Sequence, residues 1–241
     1  MNSLKNIEKI IDKFPKGYVF TSNDFNISVS DKQALIKRLN RLAQNEKLSK
    51  LSKGRFYKPE RTPFGELEPK QYQIVKDLLV IGGKTVGYLT GYSIYNQLGL
   101  TTQVSNLIQI GKNEIRPAFK RANYKISIIK QKNSITKENI PLLQILDSIK
   151  YIKKIPDSNA DFIINRLKIL LKDMSVNEII RIIKLSMKYP PSTRALLGAI
   201  LDNIGFEKRT DELLTSLNSI TKYSLPNADK VLLNIEKWNI E

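Results

Sequence analysis

The third predicted helix of the chain is amphipathic and basic, and it limits the possible folds more than any other segment. Leu35, Leu39 and Leu42 recur at helical spacing and share one side of a 100° wheel. Lys37 and Arg41 lie on the opposite side. A helix of this kind must bury its apolar side against a small core and expose its cationic side.

The elements around this helix are short and have a definite order. Ser30 and Gln33 have the spacing of a capping box, so we expect the helix to begin at Ser30. A first helix, a β-prone run and a brief second helix precede it. Two strands follow it, at residues 48–51 and 55–58. This order is typical of a winged helix-turn-helix domain, which we assign to residues 1–62.

The charge of the chain is concentrated in this segment. Lys and Arg total 40 and Asp and Glu total 23, which gives +17. An AT-rich genome could also enrich Lys, so the total does not decide the function. Residues 32–58 contain nine basic residues and one acid, so 9 − 1 = +8 of the charge lies there. We therefore expect double-stranded DNA as a partner. The expected contacts are Gln33, Ala34, Lys37, Arg38, Arg41 and Gln44 on the helix and Lys50, Lys53 and Arg55 on the hairpin.

Several function classes are disfavoured. The chain has no Cys and no His, which excludes disulfides, zinc sites built from those residues, and Ser-His-Asp or Cys-His catalysis. Residues 83–85 read Gly-Lys-Thr, but a phosphate-binding loop also needs a glycine at position 78, where Leu78 stands. We predict no catalytic residue, metal or cofactor. The charged N-terminal residues and the absence of a long apolar run lead us to expect a cytoplasmic protein that does not contact membranes.

The rest of the chain is predicted to form a second, larger domain, so the fold class is α+β. Residues 61–65 are a candidate linker. Residues 66–241 then divide into a small mixed α/β part, about 66–135, and a mostly helical part, about 136–241. The helices predicted in the second part are Pro141–Ile152, Asp161–Asp173, one opened by the capping box Ser175–Glu178, Thr193–Asn203 capped by Ser192, one around Leu213, and a last one from Ala228 to Trp238.

Three blocks of sequence resemble the AbiEi-type antitoxins. They are residues 53–59 with 63–65, residues 87–91 with 98–104, and residues 189–199. The resemblance implies the antitoxin of a type IV toxin–antitoxin system active in abortive infection. Its winged helix would repress the shared operon at inverted repeats, and its second domain would counteract a nucleotidyltransferase-like toxin without a stable complex. The candidates for antitoxin function within these blocks are Tyr88, Thr90, Gln103 and Arg194.

Two alternatives stay open at this stage. The chain could be an ordinary winged-helix regulator whose larger domain binds an effector or dimerises. It could also be an enzyme with a DNA-targeting domain.

Overall fold

The computed structural model describes residues 6–241, which form two compact units. The first unit comprises residues 6–78 and 119–125, and the second comprises residues 79–118 and 126–241. Both contain helices and small sheets, which confirms the predicted α+β class. Residues 1–5, where the predicted first domain begins, lie outside the described residues. None of the helices in residues 6–241 combines the length and the apolar composition that a membrane-spanning helix requires.

The first sixty residues contain the predicted elements in the predicted order. Strands β1 (Val19–Phe20), β2 (Ser49–Ser52) and β3 (Arg55–Tyr57) form one antiparallel sheet with β3 in the middle. The elements are α1 (Ile7–Lys13), β1 (Val19–Phe20), a 3₁₀ turn (Ser22–Asp24), α2 (Lys32–Gln44), β2 (Ser49–Ser52) and β3 (Arg55–Tyr57).

The apolar sides of these elements meet in one small core. Leu35, Leu39 and Leu42 of α2 are buried there, as their spacing predicts, and Phe20 and Phe56 of the sheet pack on them. The remaining buried members come from α1 and the connecting segments. They are Ile7, Ile11, Phe25 and Leu48.

Helix α2 begins one residue later than predicted, with Asp31 in place of Ser30 as the N-cap residue, because a different turn prepares its start. Ser30 does not cap the helix; Asp31 precedes it and has helical backbone angles. The hydroxyl of Ser28 donates to the Asp31 carboxylate at 2.9 Å and accepts the Asp31 backbone N–H at 3.3 Å. The local turn from Ser28 to Asp31 therefore replaces the capping box.

The predicted linker is instead the end of a hairpin. Strands β4 (Glu60–Thr62) and β5 (Gly65–Leu67) pair there, and Phe64 at the tip is fully exposed. Helix α3 (Gln71–Leu79) follows, and most of it belongs to the first unit. The first unit therefore extends past the predicted break to Leu78.

The second unit begins with a hairpin and continues into a sheet. The glycines at positions 82 and 83 both have positive φ and turn the first hairpin. In the Gly-Lys-Thr segment, Gly83 therefore ends a β-turn and Lys84 and Thr85 begin the returning strand. In the sheet, β9 (Leu107–Lys112) lies between β8 (Gly87–Thr90) and β11 (Tyr124–Lys130). The strands are β6 (Val80–Ile81), β7 (Lys84–Thr85), β8 (Gly87–Thr90), β9 (Leu107–Lys112), β10 (Phe119–Arg121) and β11 (Tyr124–Lys130); β10 and the start of β11 are grouped with the first unit.

The second unit ends in a helical part with a large apolar core. The prediction of a last helix from Ala228 to Trp238 is wrong. Asn227 and Asn234 have left-handed backbone angles, so this segment forms two separate 3₁₀ turns. Helix α7 (Pro191–Asn203) begins at a proline and is not capped by Ser192. The helices are α4 (Ile140–Lys150), α5 (Ala160–Lys172), α6 (Val176–Ser186), α7 (Pro191–Asn203) and α8 (Asp211–Thr215).

Candidate nucleic-acid interface

Helix α2 presents a continuous polar surface away from the core of the first unit. A shallow depression of about 310 Å³ on this surface is lined by Ala34, Lys37, Arg38 and Arg41. All predicted helix contacts except Arg38 are exposed; these are Gln33, Ala34, Lys37, Arg41 and Gln44.

Two cations on this surface are electrostatically free. Among residues 6–241, no carboxylate forms an ion pair with Lys37 or Arg41. Because nothing in the described fold neutralises them, both side chains can bind an external anion without first breaking an internal contact.

Arg38 has a different environment, because it connects α2 to α1. Its Nη2 donates to Oε1 of Glu8 at 2.8 Å, and Lys47 approaches the other oxygen at 3.4 Å. The hydrogen bond from Arg38 and the charge of Lys47 hold the pKa of Glu8 below its usual value. Arg38 therefore orients α2, and the Glu8 carboxylate partly neutralises its charge.

The β2–β3 hairpin contributes two further exposed cations. Gly54, in the left-handed conformation, turns the chain and leaves Lys53 exposed at the tip. Lys50 is also exposed, and its Nζ donates to the side-chain oxygen of Asn40 at 3.2 Å. Lys50 and Lys53 therefore extend the cationic surface beyond α2.

Arg55 is engaged in an internal ion-pair cluster. Its Nη2 donates to Asp77 at 2.8 Å, and Arg121 donates to the same carboxylate at 2.6 Å. Burial would raise the pKa of Asp77, but the hydrogen bonds from Arg121 and Arg55 outweigh it and hold the pKa below its usual value. Sequence reasoning missed Arg121, because it lies 44 residues from Asp77 and no local pattern marks the pair.

Two of the four candidates for antitoxin function bind one buried carboxylate. The Tyr88 hydroxyl and the Thr90 hydroxyl each donate to Oδ2 of Asp147 at 2.7 Å, and Tyr189 donates to Oδ1 at 2.8 Å. The side-chain amide of Gln131 donates to both tyrosine oxygens at 2.8 Å. We call these five side chains the Asp147 network; all five are buried.

The Asp147 network has shifted pKa values. Burial raises the pKa of Asp147, and the hydrogen bonds from Thr90, Tyr88 and Tyr189 oppose this without cancelling it. Burial and the nearby carboxylate raise the pKa of both tyrosines. Asp147 could have been singled out in the sequence because it is the one acidic residue of the mainly apolar helix α4.

The other two candidates form no hydrogen bond with the Asp147 network among the described residues. Gln103 is exposed, and its amide donates to Asp157. Arg194 donates through Nη2 to the carbonyl of Ser216 at 3.2 Å, and its buried Nε has no partner among the described residues. The four candidates therefore do not form one site.

Residues 6–241 contain no group of three acidic side chains placed to hold a metal ion.

Comparison with known proteins identifies a family that matches the sequence and a solved structure with a similar fold. Residues 6–179 match DUF6088, a family of unknown function. The crystal structure of the RV2827C protein from Mycobacterium tuberculosis is similar, with a TM-score of 0.60 and 14% sequence identity, over 92% of this chain and 84% of that one. A comparison with curated protein sequences finds no match.

Proposed function

The chain belongs to the DUF6088 family, and we propose that it is a DNA-binding antitoxin that represses its own operon. In this proposal the described part of residues 1–62 acts as a winged helix-turn-helix that binds double-stranded operator DNA. The rest of the chain counteracts a nucleotidyltransferase-like toxin in the cytoplasm. The proposal assigns no catalytic step, metal or cofactor to the chain.

One observation carries the DNA-binding proposal. Lys37 and Arg41 are exposed on the side of α2 opposite its buried leucines, and no carboxylate of residues 6–241 pairs with them. The hairpin that follows adds Lys50 and Lys53. A single helix of this width fits the DNA major groove, where Arg binds the O6 and N7 atoms of guanine. The hairpin lysines would then neutralise phosphates of the adjacent backbone.

The ion pairs of Arg38 and Arg55 refine the roles of the predicted contacts. Both guanidinium groups are held by carboxylates of the protein, Glu8 and Asp77. We therefore assign them the role of holding α2 and the hairpin in position, with a smaller contribution to the binding of phosphate.

The antitoxin part of the proposal is supported by the resemblance of three sequence blocks to the AbiEi-type antitoxins. Gln103 is the one candidate in those blocks that is exposed to a partner. Tyr88 and Thr90 are 2% and 0% exposed, so we assign them a bracing role through the Asp147 network.

DNA binding is tested by titrating the chain with the DNA upstream of its own gene. The Lys37→Ala/Arg41→Ala variant should bind at least about tenfold more weakly, because one bidentate Arg–guanine contact is worth about 1–3 kcal/mol. Lys9→Ala/Lys13→Ala is the matched control, since it removes the same charge from exposed positions of α1. Equal weakening in both variants would show a nonspecific charge effect and contradict the assignment of α2.

Toxin neutralisation is tested separately with the full-length chain. The partner toxin is expressed from an unrelated promoter, so repression cannot contribute to growth. The Lys37→Ala/Arg41→Ala variant should rescue growth as well as the wild type does. Failure of the wild type to rescue growth would leave the alternative of an ordinary transcriptional regulator.

A further inference from the structure

The second unit contains a cavity of about 400 Å³ where four parts of the chain meet. They are residues 149–154 at and beyond the C-terminal end of α4, the start of α7, residues 222–225, and Ile240. Such a volume is within the range of small-molecule sites in proteins. Five buried aliphatic side chains contribute to its lining: Ile149, Ile152, Leu196, Leu225 and Ile240.

Four lysines line the same cavity: Lys150, Lys153, Lys154 and Lys222. Among residues 6–241, none of them forms an ion pair with a carboxylate. The C-terminal end of α4 attracts cations and accounts for Lys150. It does not account for Lys222, which comes from a separate segment more than seventy positions later in the sequence.

One residue of the lining also has an unsatisfied polar group. The hydroxyl of Tyr223, which is one of the lining residues, is buried and has no hydrogen-bond partner among the described residues. Buried polar atoms without a partner are rare in folded proteins, and they often indicate a bound water or ligand. The hydroxyls of Ser192 and Ser224, which are exposed residues, lie in the same lining.

From these observations we propose that the cavity binds a nucleoside polyphosphate. The lysines bind the phosphates, the aliphatic side chains contact the base and sugar, and the Tyr223 hydroxyl hydrogen-bonds the ligand. This assignment goes beyond the proposed function and does not depend on it.

A small ligand fits the lining better than a nucleic-acid strand does. Strand-binding surfaces offer successive open aromatic faces along a groove. Here Tyr151 has the Nζ atoms of Lys150 and Lys154 at 4.9 and 5.5 Å from its ring centre. The cations therefore compete with a base for stacking on that ring.

The test is calorimetric titration of the full-length chain with ATP, tripolyphosphate and adenosine at low ionic strength. ATP should bind more tightly than tripolyphosphate, and adenosine should not bind measurably. Equal binding of ATP and tripolyphosphate would overturn the nucleoside part of the proposal. An absence of ATP binding, or lysine-dependent binding of a uridine oligonucleotide in its place, would overturn the whole proposal.

Two variants locate the site. Lys153→Gln/Lys222→Gln should weaken ATP binding by about tenfold or more, because two charge-assisted contacts are lost. Lys172→Gln/Lys208→Gln removes the same charge from exposed positions outside the lining and should change the affinity less than about twofold. Equal effects of the two double variants would place the binding elsewhere.

Tyr223→Phe provides an independent measurement. It removes a hydroxyl that has no described partner, so the thermal midpoint should be unchanged or raised while ATP binding weakens several-fold. Unchanged ATP affinity in this variant would overturn the role of the hydroxyl.

Discussion

Replacing Tyr189 by Phe tests whether the Asp147 network stabilises the second unit. The substitution removes one hydroxyl that donates to Asp147 at 2.8 Å and accepts from Gln131 at 2.8 Å. A hydrogen bond to a charged group contributes about 1.5–3 kcal/mol, and the variant leaves a buried carboxylate oxygen with one donor fewer. We therefore expect the free energy of unfolding to fall by about 2 kcal/mol.

The measurement is urea denaturation followed by tryptophan fluorescence. Trp238 is the only tryptophan in the chain and is fully buried in the second unit, so the signal reports on that unit. Tyr92→Phe is the matched control, because the Tyr92 hydroxyl donates to a backbone carbonyl at an exposed position. It should cost at most about 0.5 kcal/mol.

The pH dependence gives a second readout. The pKa of Asp147 is raised in the folded state, so its ionisation costs stability as the pH rises from the usual Asp value through the raised value. Asp147→Asn should remove this part of the pH dependence. The loss caused by Tyr189→Phe should grow over the same range, because the ionised carboxylate needs its donors more. A loss below about 0.5 kcal/mol, or one that is identical at acid and neutral pH, would refute the reasoning.

Three further predictions concern the hairpin and the helices. Lys50→Ala/Lys53→Ala should make the slope of log K against log salt for DNA binding less negative by about 2, and an unchanged slope would place the hairpin away from DNA. Gly198→Ala should cost about 1–3 kcal/mol by fluorescence-detected unfolding, because its new Cβ would lie 2.1 Å from the Trp238 ring; a neutral effect would contradict this packing. Ser175→Ala removes the cap of α6 and should cost about 1 kcal/mol in the same assay, which a loss indistinguishable from zero would refute.

Local patterns predicted the elements that local interactions determine. The capping box of Ser175 and Glu178 forms as its spacing predicts, because both hydrogen bonds lie within four residues. The prediction at Ser30 is wrong because Ser28 competes for the same turn, and hydrogen-bond spacing alone does not rank the two. The prediction of the last helix is wrong because it rests on the spacing of apolar residues and ignores the Asn residues, which readily adopt left-handed backbone angles.

Long-range contacts could not be predicted in the same way. Asp147 bonds to Tyr88 across 59 residues and to Tyr189 across 42, and no periodicity in the sequence relates these positions. For the same reason, Arg55 was expected to bind phosphate, although Asp77 holds it in the folded chain. Among the residues of the candidate site, only the exposed cations of α2 and of the β2–β3 hairpin could be identified from the sequence of their own segments.

Residues 119–125 belong to the first unit, although residues 79–118 separate them from the rest of that unit in the sequence. This separation affects the order in which contacts form during translation. Arg121 binds the Ile74 carbonyl and the Asp77 carboxylate, so the first unit lacks these contacts until residues 79–118 have been translated. At about 5–20 residues per second, those forty residues take about 2–8 s. During that interval the nascent chain already carries the basic helix α2, while Asp77 has only Arg55 as an ion-pair partner. The ion-pair cluster around Asp77 is therefore completed only after Arg121 has been translated.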